Sequence, residues 1–272
     1  MTSVNKTIKV AAIQMVSGAS LDANLARAGA LIAEAAEKGA RVIALPEYFC
    51  FMGHRDRDKL AIRETPGAGK IQEFLADTAR RHRIWLIGGS LPLQTDDPDR
   101  IYNSSLVFGP EGDSLGRYDK IHLFGFRKGT ESYDESVSIK PGSPEAQVIS
   151  LPWGELGLSI CYDLRFPELY RAMGTVDLIV VPSAFTYTTG SAHWEILLRA
   201  RAIENQCYVL APAQGGRHEN GRRTWGHSML VGPWGEVLGC LSEGEGCVLG
   251  ELDLVRLEEV RLSLPTLKHR TM

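Results

Sequence analysis

The chain has 272 residues, 44% hydrophobic and 23% charged, with a net charge of −3. That balance belongs to a globular protein and excludes a disordered or fibrous one, and it gives neither the basic footprint of a nucleic-acid binder nor a polybasic membrane patch. The length suits one large α/β domain burying roughly three quarters of its unfolded surface.

Taken in order, Val10 to Met15 reads as a strand and Asn24 to Glu37 as a helix with Leu25, Ala28, Leu31, Ile32 and Ala35 on one face. Val42 to Leu45 is a buried strand that Pro46 ends before Glu47, so this carboxylate lies at a strand's carboxyl end, where open α/β architectures place their sites. Gln72 to Arg81 reads as a helix and Ile84 to Leu91 as a strand. Tyr102 to Phe108 and Ser114 to His122 form a strand pair across the turn at Gly109 to Gly112, and the second presents Lys120 between apolar neighbours. Strands are expected at Gln147 to Leu151 and Leu156 to Cys161, then a helix at Pro167 to Met173, with proline at a favoured first position. Asp177 to Val181, the helix His193 to Asn205, Tyr208 to Ala213, His227 to Val231 and Val248 to Asp253 continue the alternation. The pattern is α/β with hairpins, and by itself it leaves the layer count open.

Cys161 ends an apolar run directly ahead of a helix. There, outward-pointing backbone N–H groups and the positive end of a helix dipole favour thiolate, which makes it a candidate nucleophile. A buried structural cysteine is the plainer reading of such a residue. Taken singly, Glu47 and Lys120 read as ordinary surface charges. In this order, the three residues become specific.

The segments LPEYF, GRYDKIHLF and ICYDLRFPELYR resemble the nitrilase superfamily of carbon–nitrogen hydrolases, marked by a Glu, Lys, Cys triad in that order. The resemblance runs from Ile8 to the segment around Leu264 to Arg270 and places the triad on Glu47, Lys120 and Cys161. It implies a four-layer α-β-β-α sandwich, a single domain over residues 1–272 with 264–272 as a carboxy-terminal arm, and no cofactor or metal. It also implies a second glutamate soon after the lysine that braces it, assigned to Glu131, with a solvated loop acid beside Asp134 and Glu135 as the alternative.

The chemistry explains the combination. Attack on an amide carbonyl needs a nucleophile, a base for its proton and a site for the oxyanion. Cys161 supplies sulfur, Glu47 takes the thiol proton and passes it to departing ammonia, and Lys120 with the backbone N–H of Tyr162 holds the oxyanion. Glu47 then activates water against the thioester. Tyr48, Phe124, Phe126, Arg165, Thr186 and Tyr187 are candidate pocket residues. Arg165 suits a substrate carboxylate, with an internal ion pair to Glu168 or another acid as its alternative.

The runs YDLRFPELYRAMG, PSAFTYTTGSAHWEILLRARAIENQCYV and WGHSMLVGPWGEVL are most similar to the branch containing deaminated-glutathione amidase and omega-amidases. That implies hydrolysis of a linear amide bearing carboxylate and α-keto groups. A nitrilase acting on a small nitrile and a non-catalytic scaffold are the alternatives.

Other features carry less. TPGAGKIQ lacks phosphate-loop spacing, and Gly215 to Arg223 reads as an exposed, mobile loop that forms a rim of the pocket. His122, His193 and His227 lack metal-ligand spacing, and His122 is the alternative base of a papain-like mechanism. Five cysteines, Cys50, Cys161, Cys207, Cys240 and Cys247, are odd in number with no C-x-x-C pair, so a reduced, cytoplasmic protein is expected. No signal core or membrane-length apolar run contradicts this, and the sequons at Asn5 and Asn103 would matter only in a secreted protein. The expected partners are a small amide and further copies of the chain, in a homodimer or a larger homo-oligomer.

Overall fold

The computed structural model describes residues 7–129 and 131–271. The first half contributes strands β1 (Thr7–Gln14), β2 (Val42–Ala44), β3 (Trp85–Ile87), β4 (Leu91–Gln94), β5 (Ile101–Phe108) and β6 (Ser114–Asp119), with helices α1 (Leu21–Glu37) and α2 (Lys70–His82). A small hairpin, β7 (Gly125–Lys128) with β8 (Glu131–Asp134), separates the halves. The second half contributes β9 (Gln147–Leu151), β10 (Gly154–Leu158), β11 (Leu178–Val180), β12 (Tyr208–Ala211), β13 (Ser228–Val231), β14 (Val237–Leu241) and β15 (Gly246–Asp253). Its helices are α3 (Pro167–Ala172), α4 (Tyr187–Asn205) and α5 (Leu254–Ser263).

Two sheets result, ordered β15-β1-β2-β3-β5-β4 with β6 beside β5, and β14-β13-β12-β11-β10-β9. In each, a parallel core, β1-β2-β3 or β10-β11-β12, is flanked by antiparallel strands. Because the side-chain period of a strand is two, neighbouring residues serve opposite faces. Val10, Ala12, Val42 and Ala44 pack towards Leu156, Leu158, Leu178 and Val180 of the other sheet, in a core that reaches Leu169, Trp194 and Leu198 of α3 and α4. Ala11, Ile13 and Ile43 pack instead under α1 and α2, against Leu25, Leu31, Ile71 and Leu75. The layers are therefore α-β-β-α. Central strands buried on both faces explain the continuous apolar runs in place of alternation.

Several boundaries differ from the expected ones. The strand expected at Ile84 to Leu91 is two strands, broken where Gly89 takes φ 56° with Pro46 O so close that an added Cβ would lie 2.2 Å from it. That approach carries Ser90 Oγ to within 3.0 Å of Tyr48 N and fixes the turn holding Glu47. Helix α4 begins six residues earlier than expected. Thr186 caps it through Thr189 N at 3.2 Å, and Gly190 gives Trp225 the room that any side chain would occupy. The hairpin β7–β8, strand β14 and helix α5 were not anticipated. Beyond α5, residues 264–271 form turns and bends, and Leu264 O is held by Gln206 Nε2 at 2.5 Å. No helix among the described residues is long and apolar enough to cross a membrane.

Candidate active site

Glu47, Lys120 and Cys161 each follow the end of a strand, β2, β6 and β10, and all three are buried. Glu47 Oε1 accepts from Lys120 Nζ at 2.9 Å and from Asn103 Nδ2 at 2.9 Å. Its other oxygen accepts from Ala184 N at 2.9 Å, and Gln214 Nε2 holds its carbonyl at 3.1 Å. A carboxylate with its lone pairs directed this way has one orientation in which to work.

Lys120 Nζ makes a second ion pair, to Glu135 Oε2 at 2.7 Å. The Glu135 carboxylate also accepts from Phe124 N at 2.7 Å and from Tyr48 OH at 2.8 Å. Burial opposes the Lys120 charge, but Glu135 and then Glu47 outweigh it and hold the ammonium well above the ordinary lysine range. For Glu135 burial pushes upward, and the charge and hydrogen bond of Lys120 prevail to hold it below 4.5. Behind Tyr48, Lys59 is nearly buried with its ammonium 4.2 Å from the ring centroid.

Cys161 starts a 3-10 turn, Cys161–Arg165, with φ 51° and its N–H on Pro182 O at 2.9 Å. Asp163, fully buried, pins that turn: its carboxylate accepts from Ile160 N at 2.9 Å, Tyr118 OH at 2.7 Å and His122 N at 3.0 Å, with His122 Nδ1 at 2.7 Å. Since Tyr118 and His122 flank Lys120, this one carboxylate ties the lysine segment to the cysteine turn. Glu47 and Cys161 face a cavity lined also by Tyr48, Phe124, Glu135, Tyr162, Arg165, Ala184, Phe185, Thr186, Thr189 and Arg222, with Lys120 buried behind Glu47 and Glu135.

Residues 9–262 match the carbon-nitrogen hydrolase family. The chain belongs to that family. It is 41% identical over 270 residues to the deaminated glutathione amidase of Synechocystis sp., covering 97% of this chain and 98% of that one. The mouse omega-amidase NIT2 is 38% identical, with 97% and 95% covered. Among solved structures, the NitFhit protein of C. elegans superposes with a TM-score of 0.87 at 39% identity, covering 97% of this chain and 65% of that chain. Saccharomyces cerevisiae Nit3, of the nitrilase superfamily, gives 0.84 at 32%, with 95% and 94% covered. The fold is the nitrilase-type sandwich, and the chain is a carbon-nitrogen hydrolase of the amidase kind.

Within this carbon-nitrogen hydrolase, the lysine's brace is not Glu131 but Glu135. The reason is the unforeseen hairpin: Glu131 pairs with Lys128 near its tip, whereas Glu135 follows the returning strand and comes back beside Phe124, with Glu135 N on Phe124 O at 3.0 Å. Glu131 bonds Thr188 Oγ1 at 2.9 Å instead. Among the proposed pocket residues, Tyr48, Phe124, Arg165 and Thr186 line the cavity, as does Tyr162, expected only at the oxyanion. Phe126 and Tyr187 do not. Phe126 stacks on the far side of Phe124, centroids 6.0 Å apart, and Tyr187 is exposed against Arg223 and Trp225.

The expected thiolate is also corrected. No long helix dipole meets the sulfur at its short turn, and burial, reinforced by the Glu47 charge, holds the thiol well above its ordinary value despite Lys120. Arg165 bonds His193 Nδ1 at 3.2 Å, and it forms no ion pair with Glu168 or another acid among the described residues. The three histidines take separate partners: His122 holds Asp163, His193 meets Arg165 and His227 bonds Trp225 O.

Asn103, Asp163, Glu135 and Gln214 were missed. Asn103 showed in the sequence only as a glycosylation motif, yet it lies buried on β5 with its amide on Glu47.

Proposed function

We propose that this hydrolase cleaves a linear, carboxylate-bearing amide through a thioester on Cys161, with deaminated glutathione or a similar omega-amide as substrate. The observation that carries the reading is the carboxylate of Glu47 fixed beside Lys120 on the wall of a cavity that also holds the Cys161 thiol. A neutral thiol needs a base when it attacks, and Glu47 is the candidate.

In the first half, the Sγ–C bond forms as Glu47 takes the thiol proton, and the carbonyl oxygen becomes an oxyanion beside Lys120 and Tyr162 N. The C–N bond then breaks as Glu47 gives that proton to the departing nitrogen. In the second half, Glu47 takes a proton from water, hydroxide oxygen bonds the acyl carbon, and the C–S bond breaks as the proton returns to sulfur. From a primary amide the leaving molecule is ammonia. From deaminated glutathione it is the dipeptide amine, so ammonia detection alone would miss that reaction.

Glu135 sets the position of Lys120, while Arg165 at the cavity wall offers a site for substrate carboxylate. The protein is read as cytoplasmic. We read the exposed apolar side chains of Ile196 and Ile203 on α4, with Trp234, whose neighbour Gly235 lies against Ile203, as the face through which two copies pair. The test of function is a panel of 2-oxo-acid amides, including deaminated glutathione, with detection of both the released acid and the released amine. Turnover of the matching nitriles but not the amides would favour the nitrilase reading.

A further inference from the structure

The loop of residues 215–226 carries one arginine that differs from the other well-buried arginines of the chain. Arg201 places its guanidinium on Leu164 O and Glu204, and Arg261 places its own on Gln206 O, Val176 O and Asp177. Such internal arginines have spent their donors on structure. Arg222 has not. Its side chain is 23% exposed, its guanidinium makes no hydrogen bond among the described residues, and its one ion pair there, to Asp56 at 3.8 Å, is long and half exposed. The guanidinium instead lies over the ring of Tyr133, 4.9 Å from its centroid, and lines the cavity.

The loop behind it is built to hold that position, not to move freely. His218 N bonds Arg222 O at 2.9 Å, Asn220 Oδ1 accepts from Arg222 N at 3.0 Å, and Asn220 Nδ2 reaches Gly53 O at 2.6 Å. Buried His218 spans Ser17 O and Thr224 Oγ1 at 2.9 and 2.8 Å, clasping the loop to the segment that also supports Glu47. Each bond fixes backbone and leaves the five guanidinium donors for something else.

The charge around the cavity says what that is. Of the residues lining the cavity, Glu47 and Glu135 are negative, while the ammonium groups that face them, Lys120 and Lys59, lie behind the wall. Arg165 and Arg222 are the cations on the wall itself, and they stand on different elements with different neighbours: Arg165 against Tyr162, Phe185 and His193, Arg222 against Tyr133 and Asp56. Resting on the amidase reading above, we propose that Arg222 is a specificity-determining residue that takes a second substrate carboxylate, distinct from the one met by Arg165. The enzyme thereby selects amides carrying a carboxylate on each side of the scissile bond over primary amides with one.

The test compares 2-oxoglutaryl-cysteinylglycine with the same compound bearing a carboxamide in place of its terminal carboxylate. The ratio of kcat/KM for acid over carboxamide is expected at about 10 to 100 in the native enzyme, the range of a charge-assisted hydrogen bond. It falls to near one in Arg222→Met and partly recovers in Arg222→Lys. A ratio near one in the native enzyme, or one that Arg222→Met leaves in place, overturns the proposal.

Calorimetry of both compounds on Cys161→Ala, with and without Arg222→Met, reads binding without turnover. If the native enzyme hydrolyses neither compound, the substrate reading fails while calorimetry still decides Arg222: acid binding weakened by Arg222→Met supports its role, and equal or absent binding of acid and carboxamide contradicts it.

Discussion

The Lys120 ammonium lies 2.7 Å from Glu135 and 2.9 Å from Glu47. Two carboxylates on one buried ammonium keep it charged and in place, so Lys120 is suited to stabilise an oxyanion and not to exchange protons. Glu135 acts through the lysine and Glu131 does not, which separates the two acids by experiment. Glu135→Gln should lower kcat by at least ~10-fold with a smaller change in KM, since the lysine matters most as charge develops. Glu131→Gln should cost far less, and equal losses in the two variants would contradict the assignment.

Stability follows the same pair with a definite sign. The folded Glu135 carboxyl lies below 4.5, so the unfolded chain binds the proton first as pH falls. Its contribution is therefore fully present above about 4.5 and disappears as pH drops through the lower folded value. Melting curves of Glu135→Gln from neutral pH to pH 3 should show a shallower acid decline than the native protein. A parallel decline would remove this carboxylate from the acid response.

Asp163 joins the segment around Lys120 to the Cys161 turn through Tyr118, His122 and Ile160 N. Asp163→Ala leaves those buried donors without an acceptor and should destabilise the protein by about 2–4 kcal/mol. Chemical denaturation measures it. Tyr118→Phe, which removes only one donor, should cost less than half as much.

A thiol held high by burial and by Glu47 predicts slow alkylation. The rate of Cys161 modification by iodoacetamide, followed by peptide mapping, should show no thiolate plateau below pH 9. Glu47→Gln removes the adjacent negative charge and the base together, so it should ease the thiol's ionisation while abolishing turnover. A plateau near neutral pH in the native protein would restore a resting thiolate.

What could be read in the sequence depended on how locally each feature was determined. Glu47 and Cys161 follow buried parallel strands whose apolar runs are self-evident, and Lys120 ends a hairpin strand signalled by Gly109 to Gly112. The family motifs then joined them. Glu135 was lost because hairpin β7–β8 is short, rich in charged and aromatic residues and without alternation, so nothing local showed the chain doubling back to Phe124. The start of α4 was lost because Thr and Gly are weak helix formers, and packing of Gly190 against Trp225 overrides that preference. Arg222 could be placed on the pocket rim, but a guanidinium held by one long ion pair and free of hydrogen bonds among the described residues is a property of the folded loop alone.

The proposed reaction passes through a covalent acyl intermediate on the sulfur of Cys161. Intact-mass measurement of enzyme acid-quenched during turnover of 2-oxoglutaryl-cysteinylglycine, with peptide mapping, should find the 2-oxoglutaryl group on Cys161. The Cys161→Ala variant should carry no adduct and show no hydrolysis. Hydrolysis that persists in Cys161→Ala, or an acyl group mapped to another residue, would contradict it.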